Sequence, residues 1–253
     1  MEPSVITHPM NLEKPPMKRI VGFTLALLLL AAFVAPTFAA DNELTEQEKE
    51  DGWILLFNGE NYDGWICNNG KEVASDIDDS CMQPYKSGGY VVIHEQKWGD
   101  FILKCDVKMP EGCNSGIFLR VEDPTNPVHT GYEIQVMTGE GTSCHDFGAI
   151  YDLVPLIENV SNGPGEWNSF EITCRGPLMS VKANGKVVCE MDADEFDEPG
   201  ERAIEGSHKY KLDGVSRAIA DFAREGYLGF QDHGHPVWYK NVRLLPLEEE
   251  AEE

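Results

Sequence analysis

The stretch Phe101-Ile-Leu-Lys-Cys-Asp-Val-Lys-Met109 decides the fold class. Phe101, Leu103, Cys105, Val107 and Met109 fall on one side of a two-residue repeat, and Lys104, Asp106 and Lys108 on the other. That spacing belongs to a strand with one face buried. The same alternation runs outward in both directions, predicting strands at Trp53 to Phe57, Tyr90 to His94, Gly116 to Val121, Tyr132 to Met137 and Ser169 to Cys174. Ser180 to Ala183, Lys186 to Met191, Tyr227 to Gln231 and Val237 to Leu244 complete the set. Asn58-Gly59, Asp63-Gly64, Asn184-Gly185 and His233-Gly234 supply turn residues that tolerate left-handed backbone. Helical spacing is sparse; Val215 to Phe222 is read as one short helix, with Ile219 and Phe222 at i,i+3 on its buried side. Many short antiparallel strands favour an all-β, two-sheet sandwich or jelly roll.

The N-terminus bounds where the protein works. Lys18 and Arg19 precede the apolar run Ile20 to Phe33, and Thr37-Phe-Ala-Ala40 offers small residues for cleavage. Residues 1–40 therefore read as a secretory signal peptide, with Met17 the expected biological start. A permanent anchor would need about 20 apolar residues, and Pro36 argues against one. Export to the periplasm or beyond is the expectation, with no membrane insertion after cleavage.

The expected single domain spans residues 41–247, with a charged excursion at about 192–214 and an acidic tail at 248–253. Across the 253 residues, 44 acidic against 20 basic side chains give a formal charge of -24, which repels nucleic acid and anionic membrane. Among the seven cysteines, Cys67 and Cys81 bracket a polar loop and are the expected disulfide. Cys174 and Cys189 are not, because the strand from Leu178 to Ala183 should lie between theirs. No CxxC zinc motif occurs.

Alternation also sorts the polar residues. In Gly116 to Val121, Ile117, Leu119 and Val121 should face the core, with Phe118 and Arg120 opposite. In Tyr132 to Met137, Ile134 and Val136 belong to the core, with Glu133 and Gln135 opposite. Were these strands neighbours, Arg120, Glu133 and Gln135 would line one polar surface. A solvated face carrying an ion pair would read the same way.

Seven motifs carry a resemblance. Trp53-Ile-Leu-Leu-Phe-Asn-Gly-Glu-Asn-Tyr-Asp-Gly-Trp65, Asn114-Ser-Gly-Ile-Phe-Leu-Arg120, Gly131-Tyr-Glu-Ile-Gln-Val136 and Gly148-Ala-Ile-Tyr151 come first. Gly165-Glu-Trp-Asn168, Gln231-Asp-His-Gly234 and Asn241-Val-Arg243 follow. Together, in this order, they resemble the 3-keto-disaccharide hydrolase domain family. The resemblance implies a concanavalin A-like jelly roll with a sugar site on one sheet. The charged excursion after Met191 and the loop from Cys67 to Cys81 depart from the family pattern.

A 3-keto sugar offers its own chemistry. The C3 ketone acidifies the C2 proton, so a base can form an enediolate that expels the C1 leaving group, and water addition would complete net hydrolysis. This asks for a base, an oxyanion stabiliser and an acid. Under the resemblance, Glu133 is the candidate base, Arg120 the oxyanion stabiliser and His233 the acid-base partner. Gln135, Tyr151, Asp232, Phe118 and Trp167 are the expected substrate contacts. A carbohydrate substrate made by a separate sugar 3-oxidoreductase follows.

A divalent metal on His233 and His235 with Asp232 or Glu133 is a further option, since such an ion would stabilise an enediolate. A carbohydrate-binding module, or an interaction domain of the cell envelope, would share the fold without turnover. The string Glu190 to Glu195 matches the acidic motif of some jelly-roll glucanases, but without apolar alternation it reads as a strand exit and loop. Cys144-His145-Asp146 reads as a loop thiol beside a surface histidine, since consecutive side chains diverge. Trp65, Trp98, Trp167 and Trp238 could stack on sugar rings, but scattered Trp in a sandwich is usually core.

Overall fold

In chain order the strands are β1 (Ile54–Leu55), β2 (Trp65–Cys67), β3 (Val91–His94), β4 (Phe101–Lys108), β5 (Asn114–Val121), β6 (Tyr132–Met137) and β7 (Trp167–Arg175). They continue as β8 (Leu178–Ala183), β9 (Lys186–Asp192), β10 (Lys211–Leu212), β11 (Val215–Ser216), β12 (Tyr227–Gln231) and β13 (Trp238–Pro246). This computed structural model describes residues 40–198, 211–212 and 215–248. The segment read as a signal peptide, most of the charged excursion and the end of the acidic tail lie outside the described residues.

β4 keeps its alternation throughout: Phe101, Leu103, Cys105 and Val107 are buried, and the intervening residues only half-buried. It lies in a six-stranded antiparallel sheet of order β1-β13-β4-β7-β8-β9. The second sheet, also antiparallel, runs β2-β3-β12-β5-β6. One core joins the inner faces, with Phe101, Leu103, Ile172 and Val181 from the first sheet and Ile117, Leu119, Ile134, Val136 and Phe230 from the second. Fully burying each such side chain is worth about 1.5–3 kcal/mol, so apolar contact is the main cohesion between the sheets. The expected all-β sandwich is the architecture, and Ile117, Leu119, Ile134 and Val136 occupy the predicted core.

Three sequence expectations need correction. Residues 215–222 do not form a helix. Val215 and Ser216 pair in β11, and a turn follows in which the Phe222 N–H donates to Ile219 O at 2.9 Å. Ile219 and Phe222 are still buried, because an i,i+3 spacing serves a tight turn as well as a helix.

Cys67 and Cys81 are both free and buried. Cys67 lies on β2, whereas Met82, next to Cys81, bridges to Tyr239 on β13 of the other sheet. The loop between them thus spans the sandwich instead of closing on itself. Burial pushes the Cys81 thiol up to about 11. Cys174 and Cys189 are indeed separated by β8.

The third correction concerns β5. Phe118 and Val121, three positions apart, oppose Gly229 and Tyr227, two apart. The extra residue is a β-bulge, and Arg120 takes a left-handed φ of 49° within it. Gly226 accommodates the bulge, since a Cβ there would meet the Arg120 carbonyl oxygen at 2.6 Å. Beyond the bulge the alternation inverts: Val121 packs with Phe118, Val91 and Ile93, away from the main core.

Candidate active site

β6 pairs with β5 in the register Phe118↔Glu133 and Gly116↔Gln135, and β12 lies on β5's other side. Glu133 and Gln135 therefore project opposite Ile134 and Val136, as the alternation requires. This face is not solvated. Glu133, Gln135 and Gln231 are only 3%, 2% and 2% exposed.

Gly116 permits the central contact. A Cβ at that position would lie 2.8 Å from Glu133 Cγ and closer still to Oε1. Its absence lets the Glu133 side chain lie over β5 toward β12. There the Gln231 Nε2 amide donates to Glu133 Oε1 at 3.1 Å and to the Tyr90 hydroxyl oxygen at 2.7 Å. Both bonds need the amide nitrogen, which leaves Gln231 Oε1 without a hydrogen-bond partner among the described residues. Gln135 Oε1 is in the same state, while its Nε2 reaches Asn114 Oδ1 at 3.4 Å. Two buried carboxamide acceptors on the face of one carboxylate are costly to leave unmade, and such groups mark where a ligand's donors fit.

Tyr90 precedes β3 and is 39% exposed, so the cluster meets solvent along its edge. Desolvation, and then the charge of Glu133, pushes its hydroxyl up to about 12. Because its oxygen accepts from Gln231, its proton is available to a ligand.

Beyond β6, residues 148–154 run alongside that strand. Gln135 N–H donates to Ala149 O, Gly148 N–H to Gln135 O, and Tyr151 N–H to Glu133 O, at 2.9, 2.8 and 2.8 Å. Burial, then the charges of Asp152 and Glu133, raises the Tyr151 hydroxyl above its ordinary value. Its ring packs 4.9 Å from that of His145, whose Nε2 lies 2.6 Å from Asp152 Oδ1.

The structure brings together Glu133, Gln135 and Tyr151 of the expected residues, with Phe118 buried beneath Tyr90. It withdraws Arg120. The bulge turns that guanidinium, 1% exposed, toward the six-stranded sheet, where Nε donates to Gly99 O at 3.0 Å and Nη1 to Gly176 O at 2.7 Å. Nη2 pairs with Asp100 at 2.7 Å. Arg120 therefore ties the start of β4 to the β7–β8 turn and takes no part in the Glu133 cluster.

Trp167 is also elsewhere, on the outer face of the six-stranded sheet beneath Lys108 and Lys240. Asp232 caps its own corner, accepting from Gly234 N at 2.9 Å and from Lys86 N at 2.8 Å. His233 and His235 are exposed on that turn, and Asp232, His235 and Glu133 do not converge as metal ligands among the described residues.

The sequence reading missed Tyr90 and Gly116 as parts of the site, and missed the separate His145–Asp152 pair in the loop after β6. A signal existed for Gln231, which opens the Gln231-Asp-His-Gly234 motif. The broader surface clefts do not coincide with this cluster. One of about 600 Å³ is lined by Glu190, Asp192 and Glu195 with Arg175 and Phe196. Its acidic side chains leave β9 and enter a 3-10 turn, where Asp192 caps the Asp194 N–H, so they form a strand exit as expected. Among the described residues, only the buried face combines a carboxylate with unmet carboxamide acceptors.

Fold and face together define an antiparallel β-sandwich carrying a buried carboxylate–carboxamide site on its five-stranded sheet. The chain belongs to the 3-keto-alpha-glucoside-1,2-lyase-like domain family, whose profile matches residues 52–245. It is 25% identical over 233 residues to a 3-keto-disaccharide hydrolase of Bacteroides thetaiotaomicron, covering 78% of this chain and 79% of that one. Two crystal structures of candidate glycosyl hydrolases from Parabacteroides distasonis are similar. The first has a TM-score of 0.65 at 28% identity over 83% of this chain and 100% of that one. The second has 0.62 at 26% identity, over 77% and 99%.

Proposed function

We propose that the protein is an exported enzyme that cleaves 3-keto-glycosides, with Glu133 as the base at C2. Family membership and the B. thetaiotaomicron relative support the substrate class. The observation that carries the chemistry is the buried Glu133 carboxylate, oriented by Gln231 and set among two unmet carboxamide acceptors and a protonated Tyr90 hydroxyl. Glu133 takes the C2 proton, and its electron pair forms the enediolate with the C3 oxygen. The C1–O bond then breaks, and the departing oxygen takes the proton now held by Glu133, which restores the carboxylate. This leaves a 1,2-unsaturated 3-keto sugar, and water adding across C1 and C2 gives the free 3-keto hexose.

With Arg120 committed to the sandwich, stabilisation of the enediolate falls to neutral donors, the Tyr90 hydroxyl first and the Tyr151 hydroxyl second. Gln135 Oε1 and Gln231 Oε1 accept from sugar hydroxyls. An oxidoreductase acting on the 3-hydroxyl must supply the substrate. The basic-then-apolar segment of residues 1–40 supports export.

Incubation with a 3-keto-disaccharide and with its unoxidised parent, in deuterated water, tests this reading. Turnover of the keto sugar alone is expected. Deuterium at C2 of a released 3-keto hexose marks completed hydrolysis, and a product lacking any C2 hydrogen marks a lyase. Cleavage of the parent without label would overturn the mechanism, and binding without turnover would make the protein a carbohydrate-binding module.

A further inference from the structure

The loop between β6 and β7 holds a second constellation, which the reaction above does not use. Cys144, His145 and Asp152 each place one ligand atom within 4.8 Å of the other two, and they are the one such group among the described residues. Adjacent side chains in a strand would diverge, but here residue 144 opens a turn. His145 swings out to Asp152, seven positions on, while Cys144 points inward and is 3% exposed. Asp152 has a φ of 62°, a left-handed conformation uncommon outside glycine but open to aspartate. That conformation directs its carboxylate, 8% exposed, back onto the imidazole.

The surroundings keep the three in place. Asp152 N–H donates to Cys144 O at 3.3 Å, and Tyr151 N–H anchors to β6. Asp146 ties the loop's own entrance, accepting from Ser143 N and Oγ at 2.7 Å each. The Tyr151 ring covers one side of the imidazole, whose side chain is 38% exposed.

A thiolate, an imidazole and a carboxylate are the ligand types that bind zinc-class ions, and three protein ligands with one open side are the arrangement of a reactive rather than a closed site. A tetrahedron with Zn–N and Zn–O bonds near 2.0–2.1 Å and Zn–S near 2.3 Å has donor–donor edges of roughly 3.3–3.7 Å. The ion would part the His145–Asp152 contact of 2.6 Å by under about 1 Å, and the thiol, within 4.8 Å of both partners, would move in by roughly 1.3 Å at most.

We propose that Cys144, His145 and Asp152 bind one divalent transition-metal ion of the zinc class, with its open position toward the exposed edge of His145. The proposal does not depend on the reaction assigned to Glu133, because it is read by metal binding alone. Metal-free protein titrated with Co²⁺ should show a thiolate-to-cobalt charge-transfer band in the near ultraviolet, with visible bands of four-coordinate cobalt. Both should saturate at one equivalent and be bleached by Zn²⁺.

Cys144→Ser should remove the charge-transfer band, and His145→Gln or Asp152→Asn should weaken binding at least about 10-fold. His235→Ala should change nothing. Should Cys144→Ser fail to fold, the exposed His145→Gln carries the test. Absence of the thiolate band in the native protein, or binding that survives His145→Gln at full affinity, overturns the proposal. So does binding abolished by His235→Ala.

Discussion

The outer faces of the two sheets read alike in the sequence and end in opposite environments. On the six-stranded sheet, Glu171 sits between Lys182 at 2.7 Å and Lys104 at 3.2 Å, with all three side chains about one-third exposed. Lys182 is the main reason that the Glu171 carboxyl is held below its ordinary value. On the five-stranded sheet, Glu133 is buried and is held by a carboxamide. Alternation states which side of a strand a residue takes, not whether that side is wet. What dries the second face is residues 148–154 along β6, Tyr90 just before β3, and the sheet's own apolar group of Phe118, Val121, Val91 and Ile93. Of the two carboxylates, the desolvated one is suited to act as a base, and the solvated one is surface.

The sharpest break of this comparison exchanges each carboxylate for its amide. Glu133→Gln should lower turnover of a 3-keto-disaccharide by about 10²- to 10⁴-fold, whereas Glu171→Gln should leave it unchanged. Equal effects would erase the distinction. Circular dichroism of both variants checks that the fold persists.

Arg120→Met tests whether that side chain belongs to the fold or to the chemistry. Removing one partner of a buried ion pair costs about 3–5 kcal/mol, readable in urea unfolding. The rate per folded molecule should hold, and a loss of rate at full stability would return Arg120 to the reaction centre.

Gly116→Ala sharpens the contrast from the backbone side. The added methyl must displace the Glu133 carboxylate from Gln231, and a misplacement of about 1 Å can cost about 10²-fold in rate. The melting temperature should move far less than the rate.

Alkaline pH should act through the core rather than through either outer face. Burial pushes Tyr132, Cys174 and Cys189 up to about 12, above ordinary values of 10.0 for the tyrosine and 9.0 for the thiols. Above pH 9 the unfolded chain releases these protons while the folded chain retains them, so stability falls as pH rises toward 12. Urea midpoints at pH 8 and pH 11 measure the loss, and a flat profile would contradict the burial.

The smallest effect belongs to Lys182→Ala. An exposed pair of this kind contributes about 0–1 kcal/mol, and its loss should fade further in added salt.

Most strands were legible because alternation survives wherever one side of a strand is buried. β2 escaped because three residues, Trp65–Cys67, are too few to show a period. Glu133 and Gln135 were placed on the correct face by the same rule. Arg120 was not, since nothing in Leu119-Arg-Val121 announces a left-handed residue; Gly226, which makes room for the bulge, lies over one hundred positions away. The His145–Asp152 contact was illegible for a related reason. It depends on a positive φ at an aspartate, and a reading by strand period treats consecutive loop residues as diverging. Tyr90 was counted as the first residue of a strand, and only the fold shows its hydroxyl reaching Gln231 on a neighbouring strand.

The run of residues 148–154 along β6 has one more consequence. It occupies the rim where the five-stranded sheet would otherwise end in unpaired amides, and so denies another polypeptide a template for strand addition. The amides of Gln135 and Tyr151 should then exchange with deuterated solvent as slowly as those of a sheet interior, although β6 is formally an outermost strand. The candidate base is thus mounted on backbone clamped from both sides, and length changes after Leu156 can alter what lies above the sheet without loosening the strand that carries Glu133.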